Sequence, residues 1–199
     1  MSQRPAIVNV GYRSTNYYVV GGGRTRLLID LGWPGTLAQL TASLKHKGLA
    51  LADITHGLAT HYHPDHAGLA QDLKRAGMQL WVMGPQVEAV PLMRGYVKPT
   101  DGYIDIRLND SRVVALAESQ AALKAIGLVG EIIATPGHSD DSVTLVLDTG
   151  EAFTGDLGPT EMATDETRAV IAASWAAIRR LGATTIYPGH GPIRPIPQA

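Results

Sequence analysis

The amino-acid sequence predicts an α/β domain built in layers, and three observations carry that expectation. Short β-rich runs alternate with segments of helical period along the whole chain. Glycine or proline marks many of the junctions between them. Histidines and one aspartate recur immediately after several of the strands, where loops converge and sites are commonly built.

The elements follow in order. Residues 6–10 and 15–20 read as short strands, Gly21-Gly22-Gly23 as a turn, and 26–30 as the next strand. Pro34 opens a helix whose inner face carries Leu37, Leu40 and Leu44, and Gly48 stops it. Residues 54–60 form a strand that runs into a histidine cluster. Pro64 starts a second helix, with Leu69, Leu73 and Ala76 as its inner stripe and Gly77 as its stop. Residues 78–83 are a strand. The stretch 84–110 carries Pro85, Pro91, Gly95, Pro99 and Gly102, and reads as a long irregular loop of the lid or binding type. A strand at 112–117 and a short helix at 118–126 follow. Strands at 131–134, 142–148 and 152–154, a helix at 165–181 and a strand at 184–187 complete the chain. No internal repeat or linker divides it, so residues 1–199 are expected to form one domain.

Composition narrows the function. A hydrophobic content of 45% supplies a core. The net charge of -1 offers no basic field for nucleic acid. No cysteine is present, which excludes disulfides, thiolate nucleophiles and cysteine zinc sites. No apolar run reaches the roughly 20 residues of a membrane span, and Met1-Ser2-Gln3-Arg4-Pro5 does not read as a signal peptide. A soluble cytoplasmic protein acting on a small molecule, without nucleic acid or membrane partners, is the expectation. The oligomeric state, monomer or dimer, stays open.

The chemistry sits in four motifs. His61-Tyr62-His63-Pro64-Asp65-His66 packs three imidazoles and a carboxylate into six residues; Pro136-Gly137-His138, Gly155-Asp156 and Pro188-Gly189-His190 follow. Neutral imidazoles and carboxylates suit zinc or a similar divalent ion. In extended chain, His61 and His63 leave on the same side and can grip one ion. Asp65 and His66, at a helix start, can face a second, with Asp156 as the free carboxylate to bridge. A lone histidine is more often structural than a ligand. His46, between two lysines at a helix end, reads as an exposed residue, and His56 as a structural histidine inside a strand.

These residues resemble the metallo-β-lactamase superfamily, whose signature is His-x-His-x-Asp-His followed by a His, an Asp and a final His. Here they are His61, His63, Asp65, His66, His138, Asp156 and His190. Thr15-Asn16-Tyr17-Tyr18 and Leu28-Ile29-Asp30-Leu31-Gly32 look like the family's opening strands. The resemblance implies a four-layer αββα sandwich with two metals at one edge. It implies His61, His63 and His138 on the first metal, Asp65, His66 and His190 on the second, and Asp156 between them. Zinc is the usual metal there, with iron or manganese in related branches. Asp156 is a carboxylate as in glyoxalase II-like and lactonase-like members, whereas true β-lactamases of this kind carry Cys or Ser there. Nine residues follow His190, so the helical substrate domain of glyoxalase II is not expected. The loop after His138 departs from the usual pattern as Ser139-Asp140-Asp141-Ser142. Asp140 or Asp141 could orient a ligand, though a solvated turn is the simpler reading.

The implied chemistry is a hydroxide shared by two metals attacking a carboxylic ester, thioester or lactone, with Asp65 moving a proton to the leaving group. β-Lactam hydrolysis on the same scaffold, an iron-dependent persulfide dioxygenase and a metal-binding module without catalysis are the alternatives. Tyr96 or Tyr103 could donate to an oxyanion if the long loop folds over the site. Met93, Tyr96, Tyr103 and Met162 suggest a moderately apolar pocket, and Arg94, Lys98 and Arg107 could meet an acidic group.

Overall fold

Strands whose two faces are both apolar must be buried on both sides, and the structure, a computed structural model describing residues 4–22 and 24–196, shows how. The strands are β1 Ile7–Asn9, β2 Tyr18–Gly22, β3 Thr25–Ile29, β4 His56–Leu58, β5 Gln79–Met83, β6 Arg112–Val114, β7 Gly130–Ala134, β8 Val143–Leu147, β9 Glu151–Gly155, β10 Thr185–Pro188 and β11 Arg194–Pro195. The α-helices are α1 Leu37–His46, α2 Pro64–Ala67, α3 Ala70–Arg75, α4 Ser119–Ala125 and α5 Arg168–Arg180.

Strands β1 to β6 form one sheet in sequence order, and β11-β10-β9-β8-β7 form the second. The pairs β3–β4, β4–β5, β5–β6 and β9–β10 are parallel; the others are antiparallel. Alternation along each strand distributes side chains between layers. On β5, Leu80 and Val82 pack toward α1 and α3, where Leu40, Leu44 and Leu73 meet them. Trp81 and Met83 point the other way, into the core between the sheets, against Ile132, Leu145 and Phe153. On β8, Val146 turns outward to Ile171, Trp175 and Ile178 of α5. The order of layers is therefore α, β, β, α, as expected.

The differences from expectation have local causes. Gly21 and Gly22 extend β2 and pair with Arg26 and Thr25, so the turn is shorter; Gly23 lies outside the described residues, as do Met1, Ser2 and Gln3. The helix from Pro64 is broken into α2 and α3. Gly68 sits at the break, and a Cβ there would lie 2.3 Å from both Pro34 Cδ and the Pro64 carbonyl. The Pro34 backbone therefore crosses directly on this glycine. Helix α5 starts at Arg168, after a turn in which Thr167 N–H donates to Thr164 Oγ1 (3.3 Å). β11 is a two-residue edge strand too short to leave a sequence signal.

The stretch 84–110 carries only short 3-10 turns, yet it is tethered along its length. Gln86 is fully buried; its Oε1 accepts from Met83 N (3.1 Å) and its Nε2 donates to the Ala59 carbonyl (2.9 Å). Gln71 Oε1 accepts from Arg107 N (2.8 Å), and Lys74 donates to the Arg107 carbonyl and to Asp110.

Two outcomes test this packing. Gly68→Ala should lower stability by about 1–3 kcal/mol in denaturant melts, because α2 and the Pro34 segment cannot both keep their places. His56 reads differently. Burial, and after it the Arg112 guanidinium, holds its imidazole below the ordinary range. The folded state thus takes up this proton at lower pH than the unfolded chain, and stability is lost as pH falls below the unfolded value of about 6.5. Melting temperatures of His56→Gln should decline less than those of the parent between about pH 7 and about pH 5.5. An equal decline would remove His56 from the acid sensitivity.

Candidate metal centre

The ends of β4, β7, β9 and β10 converge at one edge of the sandwich, and each delivers part of the predicted set. His61 Nε2 lies 3.0 Å from His63 Nδ1, and His138 Nε2 lies 3.1 Å from the same atom. Asp65 Oδ2 lies 3.3 Å from His66 Nε2 and 3.1 Å from His190 Nε2. Asp156 stands between these groups. Its Oδ1 is 3.3 Å from His66 Nε2, and its Oδ2 is 3.4 Å from His190 Nε2, 3.7 Å from His138 Nε2 and 4.0 Å from His61 Nε2. All seven residues thus meet in two triads joined by one carboxylate. Within each triad the candidate ligand atoms all lie within 4.8 Å of one another.

The atoms facing inward are fixed by partners behind them. Asp30 Oδ1 accepts from both Thr60 N (2.8 Å) and Thr60 Oγ1 (2.9 Å). With its proton committed there, Thr60 Oγ1 accepts from His61 Nδ1 (3.2 Å). Asp30 Oδ2 lies 2.9 Å from His66 Nδ1. The Ser14 carbonyl, which only accepts, holds His190 Nδ1–H (2.8 Å). These partners place the hydrogen of His61 and His190 on Nδ1, as inferred from the network, and leave their Nε2 lone pairs aimed at the site. Gly189 leaves the space this requires: a Cβ there would lie 2.5 Å from Asp156 Oδ1 and 2.6 Å from His66 Cε1.

Electrostatics and spacing both fit cations. Around tetrahedral zinc, nitrogen ligands stand about 3.3 Å apart, close to the separations in the first triad. Burial, then the neighbouring imidazoles, lowers His61 well below the ordinary range, so it is a neutral donor at pH 7. Burial also lowers His138, and outweighs the opposing pull of Asp156. For His66, burial acts downward, but Asp30, Asp156 and Asp65 outweigh it and raise the group well above the ordinary value. Burial acts upward on Asp65 and Asp156, yet contacts with His66, with Thr15 added for Asp65, bring both below the ordinary carboxylate value. Both ring nitrogens of His66, and Asp156 Oδ1, are buried without hydrogen-bond geometry to any partner among the described residues. Three carboxylates around one buried imidazole call for positive charge, which a metal supplies.

The remaining expectations are distributed unevenly. Tyr96 is 59% exposed and its ring stands 5.4 Å from that of His63, nearly edge-on. Tyr103 instead packs against the core beneath α1 and α3, and Met93 is fully buried in the same cluster. Met162 is 82% exposed. Asp141 is buried and its Oδ2 accepts from Tyr62 N (2.7 Å), which fixes the turn between His61 and His63; the solvated-turn reading holds for exposed Asp140 alone. Asp30 is the residue of the site that motif spacing does not reveal. An acid closing the apolar run Leu27-Leu28-Ile29 is the signal that marks it. His46 is exposed and His56 bonds Thr55 Oγ1 (2.9 Å), both away from the triads.

Comparison with known proteins agrees with this geometry. The Metallo-beta-lactamase superfamily profile matches residues 10–190. An atrochrysone carboxyl ACP thioesterase of Aspergillus fumigatus is 31% identical over 186 residues, which are 91% of this chain and 38% of that protein. A beta-lactamase-like protein 2 homolog of Caenorhabditis elegans is 28% identical, covering 91% of this chain and 57% of its own length. The chain thus spans about half the length, or less, of these curated relatives. A metallo-beta-lactamase family protein of Thermus thermophilus superposes with a TM-score of 0.72 at 20% identity, over 96% of this chain and 75% of its own. The metallo-beta-lactamase SMB-1 gives 0.68 at 21%, over 94% and 80%. Among the described residues no helix is long and apolar enough to cross a membrane. With its ligand motifs, its layered fold and a profile match over most of its length, the chain belongs to the metallo-beta-lactamase superfamily.

Proposed function

We propose that residues 1–199 form one hydrolase domain that uses two divalent metal ions, zinc in the first instance, on the carbonyl of a small carboxylic ester, thioester or lactone. The observation that carries this reading is Asp156, whose two oxygens face histidines of both triads. A thioester is favoured within that class, because relatives at 30–31% identity bear thioesterase names. A carboxylate in the bridging place weighs against the β-lactam alternative.

His61, His63 and His138 would hold one ion, Asp65, His66 and His190 the other, and Asp156 both. When bound, such ions supply Lewis acidity to the carbonyl and bring the pKa of water from 15.7 toward about 7. The chain's own groups do the rest. Asp65 Oδ2 is engaged by Thr15 Oγ1 (3.0 Å), His66 and His190. Its Oδ1 is then the atom that takes a proton from the attacking water and passes it toward the leaving group. Asp30 and Ser14 keep the imidazoles oriented while charge develops.

Metal analysis joined to a panel of thioesters, lactones, β-lactams and phosphodiesters tests the reading. His138→Ala should reduce bound metal, and Asp65→Ala should cut thioester turnover by at least about 100-fold. Full metal content with undiminished hydrolysis in both variants would overturn it, and iron as the dominant metal would shift it to the dioxygenase class. Asp30→Ala should weaken metal binding about 10–100-fold in equilibrium dialysis, although the residue touches no ion itself.

A further inference from the structure

The first triad opens on one side into a cavity of 460 Å³ whose floor includes His63 and His138. A larger cleft of 550 Å³, near Arg4 and Leu128, shares no candidate ligand and is set apart from this chemistry. Beside His63 the wall of the cavity is apolar: Leu92 is 61% exposed and Tyr96 is 59% exposed, and both belong to the tethered stretch 84–110. Large hydrophobic side chains presented to solvent beside a metal centre are what an apolar substrate group covers. Glu88, from the same stretch, and Asp140, from the loop after His138, also line the cavity. Neither has an ion-pair or hydrogen-bond partner among the described residues, and no lysine or arginine lines the cavity. Of the two cations nearest in sequence to Tyr96, Arg94 is paired with Asp105 (3.8 Å), and neither Arg94 nor Lys98 lines the cavity.

The loop after His138 explains why Asp140 faces this space. Asp141 is drawn inward to the Tyr62 amide, and its neighbour is left exposed. The pair of unpaired carboxylates therefore sits in the same compartment as the Leu92–Tyr96 wall.

Resting on the hydrolase reading above, we propose that this cavity receives the acyl portion of the substrate, and that it selects an apolar acyl group free of negative charge. Leu92 and Tyr96 cover the acyl chain or ring, and its carbonyl lies toward His63 and His138. An acyl group ending in a carboxylate meets Glu88 and Asp140 with no lysine or arginine in the lining to offset them, a like-charge penalty that salt screens. Arg94, Lys98 and Arg107 lie outside this lining.

The test uses the metal-loaded chain and three matched thioesters of one neutral thiol, with aryl-alkanoyl, ω-carboxyalkanoyl and acetyl groups. The aryl-alkanoyl member should exceed the ω-carboxy member in kcat/KM by about tenfold or more at low salt. The gap should narrow as ionic strength rises and in the Glu88→Gln/Asp140→Asn double variant. Tyr96→Ala should raise KM for the aryl-alkanoyl member more than for the acetyl member. Equal or reversed preference, with turnover intact, overturns the cavity assignment and leaves the hydrolase reading standing. No turnover of any of the three with metal bound overturns the thioesterase reading, and the acyl assignment falls with it.

Discussion

Asp30 ties the end of β3 to the two segments that follow β4. One carboxylate oxygen holds the Thr60 backbone and hydroxyl, and the other faces His66 on α2. The residue is fully buried and sits at φ 60, a left-handed conformation that aspartate tolerates better than most side chains. Its own amide donates to the Leu58 carbonyl (2.9 Å) and the next one, Leu31 N–H, to the His66 carbonyl. A single turn of chain therefore sets the spacing between His61 and His66. Through Thr60 it also sets the ring orientation of His61. The two sheets supply rigid ends; this junction decides where the donors point.

The arrangement gathers like groups at close range, and that has an energetic cost. Five imidazoles and two carboxylates converge, and some of their inward atoms are buried with no hydrogen bond. Such a cluster is costly in the absence of a cation and favourable around one. The fold tolerates it in part because the outward nitrogens of His61 and His190 are held by Thr60 and Ser14, and that of His66 stands 2.9 Å from Asp30.

The sequence made most of this legible, for physical reasons that differ by element. Strands buried on both faces read as continuous apolar runs, and α1 and α5 show clear inner stripes, which marks a layered α/β domain, while the order of the layers came from the family resemblance. The candidate ligands stand in short motifs, where residue type and spacing carry the chemistry, and the fold brings them together. What escaped depends on contacts distant in sequence. The break at Gly68 comes from the crossing Pro34 backbone, not from any helix-ending signal. Asp30 and Asp141 look like ordinary strand-end and turn acids until Thr60, His66 and Tyr62 are brought beside them. Tyr103 and Met93 lie in a stretch without regular secondary structure, so no periodicity separates the inward side chains from Tyr96.

The segment before β2 is zipped to the one after β10. Asn16 N–H reaches the Gly189 carbonyl (2.7 Å), and its side chain reaches those of Pro188 and Gly191. Thr15 and Ser14 in turn grip Asp65 and His190. The cage is thus closed by partners some 175 positions apart. Pairings of such long range form late and slowly. The donor atoms of the second triad therefore take their places only once the segment before β2 and the segment after β10 have met, so two stretches near opposite ends of the described chain are fastened at the site itself.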